Sequence, residues 1–299
     1  MASFTERLRK RAGRLSRAQR QLAEYILQNE PKAAFMTAAR LGAAVGVSES
    51  TVVRFAIALG YSGYPELQRD LQDQLRARLS ATDRLVLAEE RGERAETILE
   101  TVLRTDIENI RATLASLPRE RFFEAVRALQ EARHIFVVGM RSSGALATYL
   151  GYYLNLMLRN VKTLANSAHP LEELMAAGPG DVVVGITFPR YARATAEAFR
   201  LAARRGARTI LITDSVVSPL VEEASIVLTA RSESPSFADS LVAPLSLINA
   251  LITAVALGQP ERVRAALSEL EDIWEKQGVY LKEERRSERI VAPEGESGE

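Results

Sequence analysis

The sequence predicts two domains in series, an all-α domain followed by an α/β domain built on a parallel sheet. Three observations predict this. The chain has 299 residues, which suits two cores rather than one. The first 79 residues read as consecutive short helices, with apolar residues at steps of three and four. From His134 onward, short apolar runs alternate with helical segments, the pattern of strands covered by helices on both faces.

Taken in order, Ser16 and Gln19 form a capping box that opens a helix over Arg17–Asn29, with Leu22, Ala23, Ile26 and Leu27 on its apolar face. Pro31 suits the first turn of a second short helix. The stretch Thr37 to Tyr64, TAARLGAAVGVSESTVVRFAIALGYSGY, reads as a helix-turn-helix. Thr37 caps a helix whose apolar side is Ala38, Leu41 and Val45. Gly46 stops it, because glycine accepts the left-handed conformation of a tight turn. Ser48 caps the next helix, with Val52, Val53, Ala56 and Leu59 as its buried side. Ser48, Glu49, Ser50, Thr51 and Arg54 then face outward near a helix N-terminus. Short polar groups and one cation there suit base edges and phosphates in the DNA major groove. Two short helices around a glycine turn also occur in all-α cores, so spacing alone leaves both readings open.

Gly60 and Gly63 bracket Tyr61 and Tyr64 in a turn-rich connection, which adds Tyr61 to the expected DNA contacts. A polar helix from Pro65 to about Leu79 leaves the domain. Up to Arg20 the chain carries seven cations (Arg7, Arg9, Lys10, Arg11, Arg14, Arg17, Arg20) against one anion, Glu6. Beside a helix-turn-helix, such a cluster favours phosphate contact through residues such as Arg7 and Arg9, against the plainer reading of a solvated helix face. Ser80–Ala95 is charged and weakly periodic, a connector. Leu99, Leu103, Ile107, Ile110, Leu114 and Leu117 then form one stripe on a long helix. That stripe packs either on the second domain or on a partner subunit.

In the second domain the expected strands are Ile135–Gly139, Val161–Leu164, Val182–Thr187, Thr209–Thr213 and Ser225–Thr229. Helices at Gly144–Leu158 and Ala194–Arg205 lie between them. Gly178–Asp181 makes a tight turn into the third strand. An apolar helix at about Ser240–Leu257 closes the domain, and an amphipathic segment with Leu267, Leu270 and Trp274 follows. Val291–Glu299 has the composition of a disordered tail. The resulting division is 1–79, 80–123, 124–263 and 264–299.

Composition excludes several classes. With 47% hydrophobic and 26% charged residues the chain resembles an ordinary globular protein. It has no cysteine, so no disulfide framework, thiolate metal site or cysteine nucleophile. His134 and His169 are the two histidines, too few for a histidine-rich metal site. No metal or cofactor is expected. No apolar run spans a bilayer and MASFTERLRKR lacks an apolar signal core, so a cytoplasmic protein without membrane contact is expected.

Open parallel sheets bind ligands at the carboxyl ends of strands, where strand order reverses. Two loops there carry suitable groups. After the first strand, Gly139 and Gly144 permit close backbone approach, while Ser142, Ser143 and the helix N-terminus offer donors to an anion. After the third strand, Thr187-Phe-Pro-Arg-Tyr-Ala-Arg193 supplies Arg190 and Arg193, suited to bidentate bonds with phosphate or carboxylate. A small anionic metabolite is the expected ligand.

These blocks resemble the RpiR family of bacterial transcriptional regulators. The resemblance is carried by Leu15 to Leu71, notably VSESTVVRFAIALGYSGYPEL at Val47–Leu67. It continues through Ile135–Ala147, HPLEELMAAGPGDVVVGIT at His169–Thr187 and TILITDSVVSPLVEEASIVL at Thr209–Leu228. It implies an N-terminal DNA-binding domain on a sugar isomerase (SIS) domain that senses a sugar phosphate or related metabolite. It also implies a five-stranded sheet of order 2-1-3-4-5, a homodimer or tetramer, and a double-stranded operator. One departure stands out. Family members often carry a Ser-Tyr-Ser-Gly-x-Thr loop after the third strand. Here Pro189 replaces a serine and removes a backbone donor, and Ala192 replaces a threonine, so only Thr187 keeps an equivalent hydroxyl. Ser143 still fits the pattern. Arg190 then serves as the anion clamp, or the ligand is no sugar phosphate. Tyr191 either stacks on the ligand or packs.

The competing reading is an aldose–ketose sugar-phosphate isomerase, with His169, Glu172 or Glu173 as the base. No catalytic pair is identifiable among them, so no enzyme activity is expected.

Overall fold

The computed structural model describes residues 4–11, 13, 15–78, 80–90, 94–216 and 218–281. The tail expected to be disordered, Val291–Glu299, lies outside them, as does Arg14.

Six helices form the N-terminal unit: α1 (Phe4–Arg11), α2 (Arg17–Gln28), α3 (Glu30–Ala33), α4 (Ala38–Val45), α5 (Glu49–Ala58) and α6 (Tyr64–Arg78). The capping box at Ser16 and Gln19 is present. One core joins Phe4, Leu22, Ile26, Leu41, Val52, Phe55, Leu59, Leu67 and Leu71. Three expectations change here. Phe55, not Val53, is the fully buried residue at that level of α5, and Val53 is half-buried. The α6 helix does not simply leave the domain, because Leu67, Leu71 and Leu75, four apart, close the core. And the basic N-terminus forms α1, whose Phe4 meets Phe55 edge-on with ring centroids 6.5 Å apart.

The expected connector is instead helix α7 (Ala81–Glu90). Ser80 and Asp83 cap it reciprocally: Asp83 N–H donates to Ser80 Oγ at 3.1 Å and Ser80 N–H donates to Asp83 Oδ2 at 3.0 Å. The long helix is α8 (Ile98–Ser116), followed by α9 (Arg119–Glu131). The stripe on α8 points outward. Leu99 is 71% and Leu114 79% exposed, and Leu103, Ile107 and Ile110 are also exposed. The opposite, polar face packs inward, with Asn109 and Thr113 buried. Asn109 Nδ2 donates to Glu233 O at 2.7 Å, and Arg231 N–H donates to Thr113 Oγ1 at 2.9 Å. These side chains satisfy the backbone of an extended segment that no strand pairs. Of the stripe, Leu117 alone packs on the chain's own second domain, and the five residues from Leu99 to Leu114 are exposed.

The C-terminal unit runs β1 (Ile135–Gly139), α10 (Ser143–Leu158), β2 (Val161–Ala165), α11 (Pro170–Glu173), β3 (Val182–Ile186), α12 (Arg193–Arg204), β4 (Arg208–Thr213), β5 (Ile226–Thr229), α13 (Val242–Gly258) and α14 (Pro260–Gln277). The sheet is parallel with order β2-β1-β3-β4-β5. Val137, Val184 and Ile210 face one apolar layer with residues of α9, α10 and α13. Phe136, Val183 and Leu211 face the other, with Ala198, Phe199 and Ala202 of α12. This is the expected three-layer α/β architecture. Gly139 lies level with Ala165 on one side and Ile186 on the other, so the loops leaving β1 and β3 emerge side by side. Helices α9 and α14 straddle residues 124 and 263, where the sequence reading divides the chain.

The turn into β3 is held by one carboxylate. Arg133 Nε and Nη2 donate to Asp181 Oδ1 and Oδ2 at 2.9 and 2.8 Å. Gly178 N–H donates to Oδ2 at 2.9 Å, and His134 Nδ1 lies 3.2 Å from Oδ1. The Arg133 guanidinium, above all, holds the Asp181 carboxyl down at about 2.

Candidate functional site

The first candidate surface is the helix-turn-helix. Helices α4 and α5 meet at 102°, the crossing such a motif needs. Thr37 caps α4 by accepting from Arg40 N–H at 3.2 Å. Gly46 ends it with φ 78°, in the left-handed region. The turn also requires a second glycine, which spacing did not reveal: a Cβ on Gly42 would stand 2.7 Å from Val47 O. Ser48 caps α5, accepting from Thr51 N–H at 3.3 Å. Ser48, Glu49, Ser50 and Arg54 are exposed and Thr51 is half-buried. Arg54 Nη2 donates to Ser50 Oγ at 3.2 Å, so the guanidinium lies over the first turn of α5. These five residues gather at one end of one helix.

Two residues expected at DNA have partners inside the helical unit. Tyr61 is only 4% exposed, and its hydroxyl donates to Asp70 Oδ2. Burial, then that carboxylate, pushes its pKa up. It is a core residue. Arg7 lies 4.4 Å over the Tyr61 ring and donates to Gly60 O at 2.7 Å. Arg11 likewise donates to Ala58 O at 2.7 Å. Both fasten α1 to the end of α5 and supply C-terminal carbonyls with the cations they favour. Arg9 remains exposed. A signal for this existed: Phe4 and Leu8 stand four apart and mark an apolar face on α1.

The second candidate site is a cleft of about 550 Å³ at the carboxyl ends of β1 and β3. Ser142, Ser143, Thr187, Arg190, Tyr191 and Arg193 all line it. The structure thus brings together every residue expected around a ligand. Helices α10 and α12 begin there, and neither has a side-chain cap. The positive ends of two helix dipoles make the cleft attractive to an anion, although at α10 the Gly144 and Ala145 N–H groups already donate to Arg141 O and Ser142 O at 3.0 and 3.2 Å. Arg141 and Arg190 also line it, both left-handed with φ 60° and 64°.

Several details differ from expectation. Gly144 does permit a close approach, but by the Asn166 side chain rather than a ligand. Asn166 Oδ1 accepts from Arg141 N–H at 2.6 Å and shapes that loop. Tyr191 donates its hydroxyl to Asp214 Oδ1 at 3.0 Å, which fixes the ring as part of the wall. Asp214 is pushed up by burial, against the bonds from Tyr191 and Thr213. Arg193 pairs with Glu197 at 2.6 Å on the rim. Asp239 and Arg141 line the cleft although sequence reasoning did not select them.

His169, Glu172 and Glu173 do not line the cleft. His169 is exposed, 3.9 Å from Glu172. Glu173 accepts from Ser167 and pairs with Lys162 at 3.0 Å, which hold its pKa down. A carboxylate so held is a poor base.

The comparisons with known proteins agree with this geometry. Residues 2–78 match the helix-turn-helix domain of the rpiR family, and residues 128–254 match the SIS domain. The HTH-type transcriptional regulator HexR of Pseudomonas aeruginosa is 30% identical over 230 residues, covering 76% of this chain and 79% of that protein. HexR of Escherichia coli is 27% identical over 298 residues, covering 95% and 100%. Among solved structures, the sugar isomerase domain of an RpiR transcription factor from Sphaerobacter thermophilus is 34% identical with a TM-score of 0.57, covering 59% of this chain and 99% of that one. NanR of Vibrio vulnificus, complexed with ManNAc-6P, shares the fold at 22% identity and a TM-score of 0.57, covering 91% and 97%.

A helix-turn-helix head followed by a SIS domain defines the class, an HTH-type transcriptional regulator. The chain belongs to the RpiR family. Among the described residues no single helix is long and apolar enough to cross a membrane.

Proposed function

We propose that this regulator is a cytoplasmic homodimer or tetramer that binds a double-stranded operator and senses a sugar phosphate or related anionic metabolite in its SIS cleft. Residues 1–79 read DNA, 80–123 link and associate, 124–263 bind the effector, and 264–299 close the chain. The observation that carries the reading is the meeting of two helix N-termini, neither with a side-chain cap, with Arg141 and Arg190 in one cleft. The sugar phosphate held by NanR, a protein of the same fold, supports the ligand class.

Ser48, Glu49, Ser50, Thr51 and Arg54 enter the groove, and Arg9 meets phosphate. Two recognition helices at a fixed separation need a fixed subunit interface. The exposed stripe from Leu99 to Leu114 supports such an interface, since an apolar face on a long helix is stable when covered. Effector binding shifts operator affinity to the extent that it prefers one arrangement.

A gel shift with the promoter nearest the protein's own gene tests the DNA half, and binding without sequence or salt preference refutes it. A thermal-shift screen of phosphosugars tests the ligand half. Any shift found there should disappear in Arg190→Ala.

A further inference from the structure

One buried ion pair joins the linker to the effector cleft. Arg84 of α7 and Asp239, from the segment between β5 and α13, are 8% and 13% exposed, with Arg84 Nη1 2.6 Å from Asp239 Oδ1. Nη1 also reaches Phe237 O at 3.4 Å, while Nε and Nη2 of Arg84 are buried without a partner. A buried guanidinium so thinly supplied depends on its one carboxylate. On α7 the other buried side chain among those described is Ala88, and Leu85 and Val86 are exposed, so among the described side chains this pair ties α7 to the segment before α13. Next to Asp239, Ser240 Oγ donates to Asp106 of α8. The same segment is thus stitched to both linker helices.

Asp239 is also a wall of the cleft, shared with Arg141, Arg190 and Ser142. Those groups suit the anionic end of a ligand, whereas a carboxylate repels an anion and accepts from a hydroxyl or ammonium group. We infer that Asp239 selects effectors that carry a hydroxyl or amino group besides their anion. That group takes Asp239 in competition with Arg84, so occupancy loosens α7 and the DNA-binding unit it carries. The ligand half rests on the cleft assignment made under the proposed function. The tie between Arg84 and Asp239 stands without it.

The test is hydrogen exchange read by mass spectrometry on the full chain, with Asp239→Asn and Arg84→Gln beside it. The probes are glucose 6-phosphate, N-acetylmannosamine 6-phosphate and inorganic phosphate. Both variants should speed exchange at 81–90 by at least about threefold without ligand, with the strands at 182–186 and 208–213 unchanged as the folding control. In the unmodified protein a sugar phosphate that protects 140–143 and 187–193 should speed exchange at 81–90, and inorganic phosphate should not. Asp239→Asn should show no further rise. Unchanged exchange at 81–90 in both variants overturns the tie. Protection of the cleft loops by a sugar phosphate with no change at 81–90, or an equal effect from inorganic phosphate, overturns the selection by Asp239. If no probe protects the cleft loops, the sugar-phosphate reading and the selection fall together, and the variants alone decide the tie.

Discussion

Asp181→Asn isolates the carboxylate that holds the turn below the cleft. The ordinary value of its carboxyl is 3.8 and the folded value is about 2. At about 1.4 kcal/mol per unit, the ionised side chain contributes roughly 2 kcal/mol at neutral pH. The folded value is depressed, so the contribution is complete above the unfolded value and is lost as pH falls through the folded one. It stays whole from pH 7 to about 5, falls to roughly half near pH 3, and vanishes below about 2. Asparagine keeps the shape and an acceptor for Gly178. Arg133 is 59% exposed, so it returns to water rather than remaining as a buried charge. The stability gap between the parent and Asp181→Asn, from urea unfolding followed by circular dichroism, should be about 2 kcal/mol at pH 7 and about 1 at pH 3. A gap that is absent at pH 7, or that widens as the solution is acidified, refutes the reasoning.

Ile107→Glu places a charge in the exposed stripe of α8. It should weaken self-association by at least about tenfold in sedimentation equilibrium while leaving the circular dichroism spectrum intact. Gly42→Ala gains helix propensity but drives a Cβ against Val47 O, and should destabilise the helical unit by about 1–2 kcal/mol in thermal unfolding. Arg54→Ala should cost about 1–3 kcal/mol of operator binding by fluorescence anisotropy and relax specificity at one position. Arg9→Ala should weaken all DNA alike and lower the salt slope by about one, whereas Arg7→Ala should act through the fit of α1.

Local rules made much of this molecule legible. The capping box at Ser16, the caps at Thr37 and Ser48 and the stop at Gly46 follow from which side chains satisfy free helix N–H groups and which residue tolerates positive φ. The central strands are short apolar runs, and β1 falls where its run does, at Ile135–Gly139. The clustering of all six expected cleft residues follows from the same source, because parallel strands deliver their C-terminal loops to one edge. Long-range partners were not legible. Tyr61 looked like a loop residue because the Asp70 that buries its hydroxyl lies a helix away. Arg7 and Arg11 looked like free charge because nothing nearby in sequence announces the carbonyls they hold.

The sequence by itself determined the order of the domains, the helix-turn-helix and the position of the cleft, since each depends on spacing within a few turns or on strand direction. Tertiary structure alone decided which face of α8 turns inward. Amphipathicity points its leucines at a core, yet its polar side is what the backbone of Arg231 and Glu233 requires, and the apolar stripe from Leu99 to Leu114 is left outside. It alone also set Arg84 against Asp239, 155 residues apart. Sequence spacing carries no record of such a contact, because the fold and not the chain brings its two charges together.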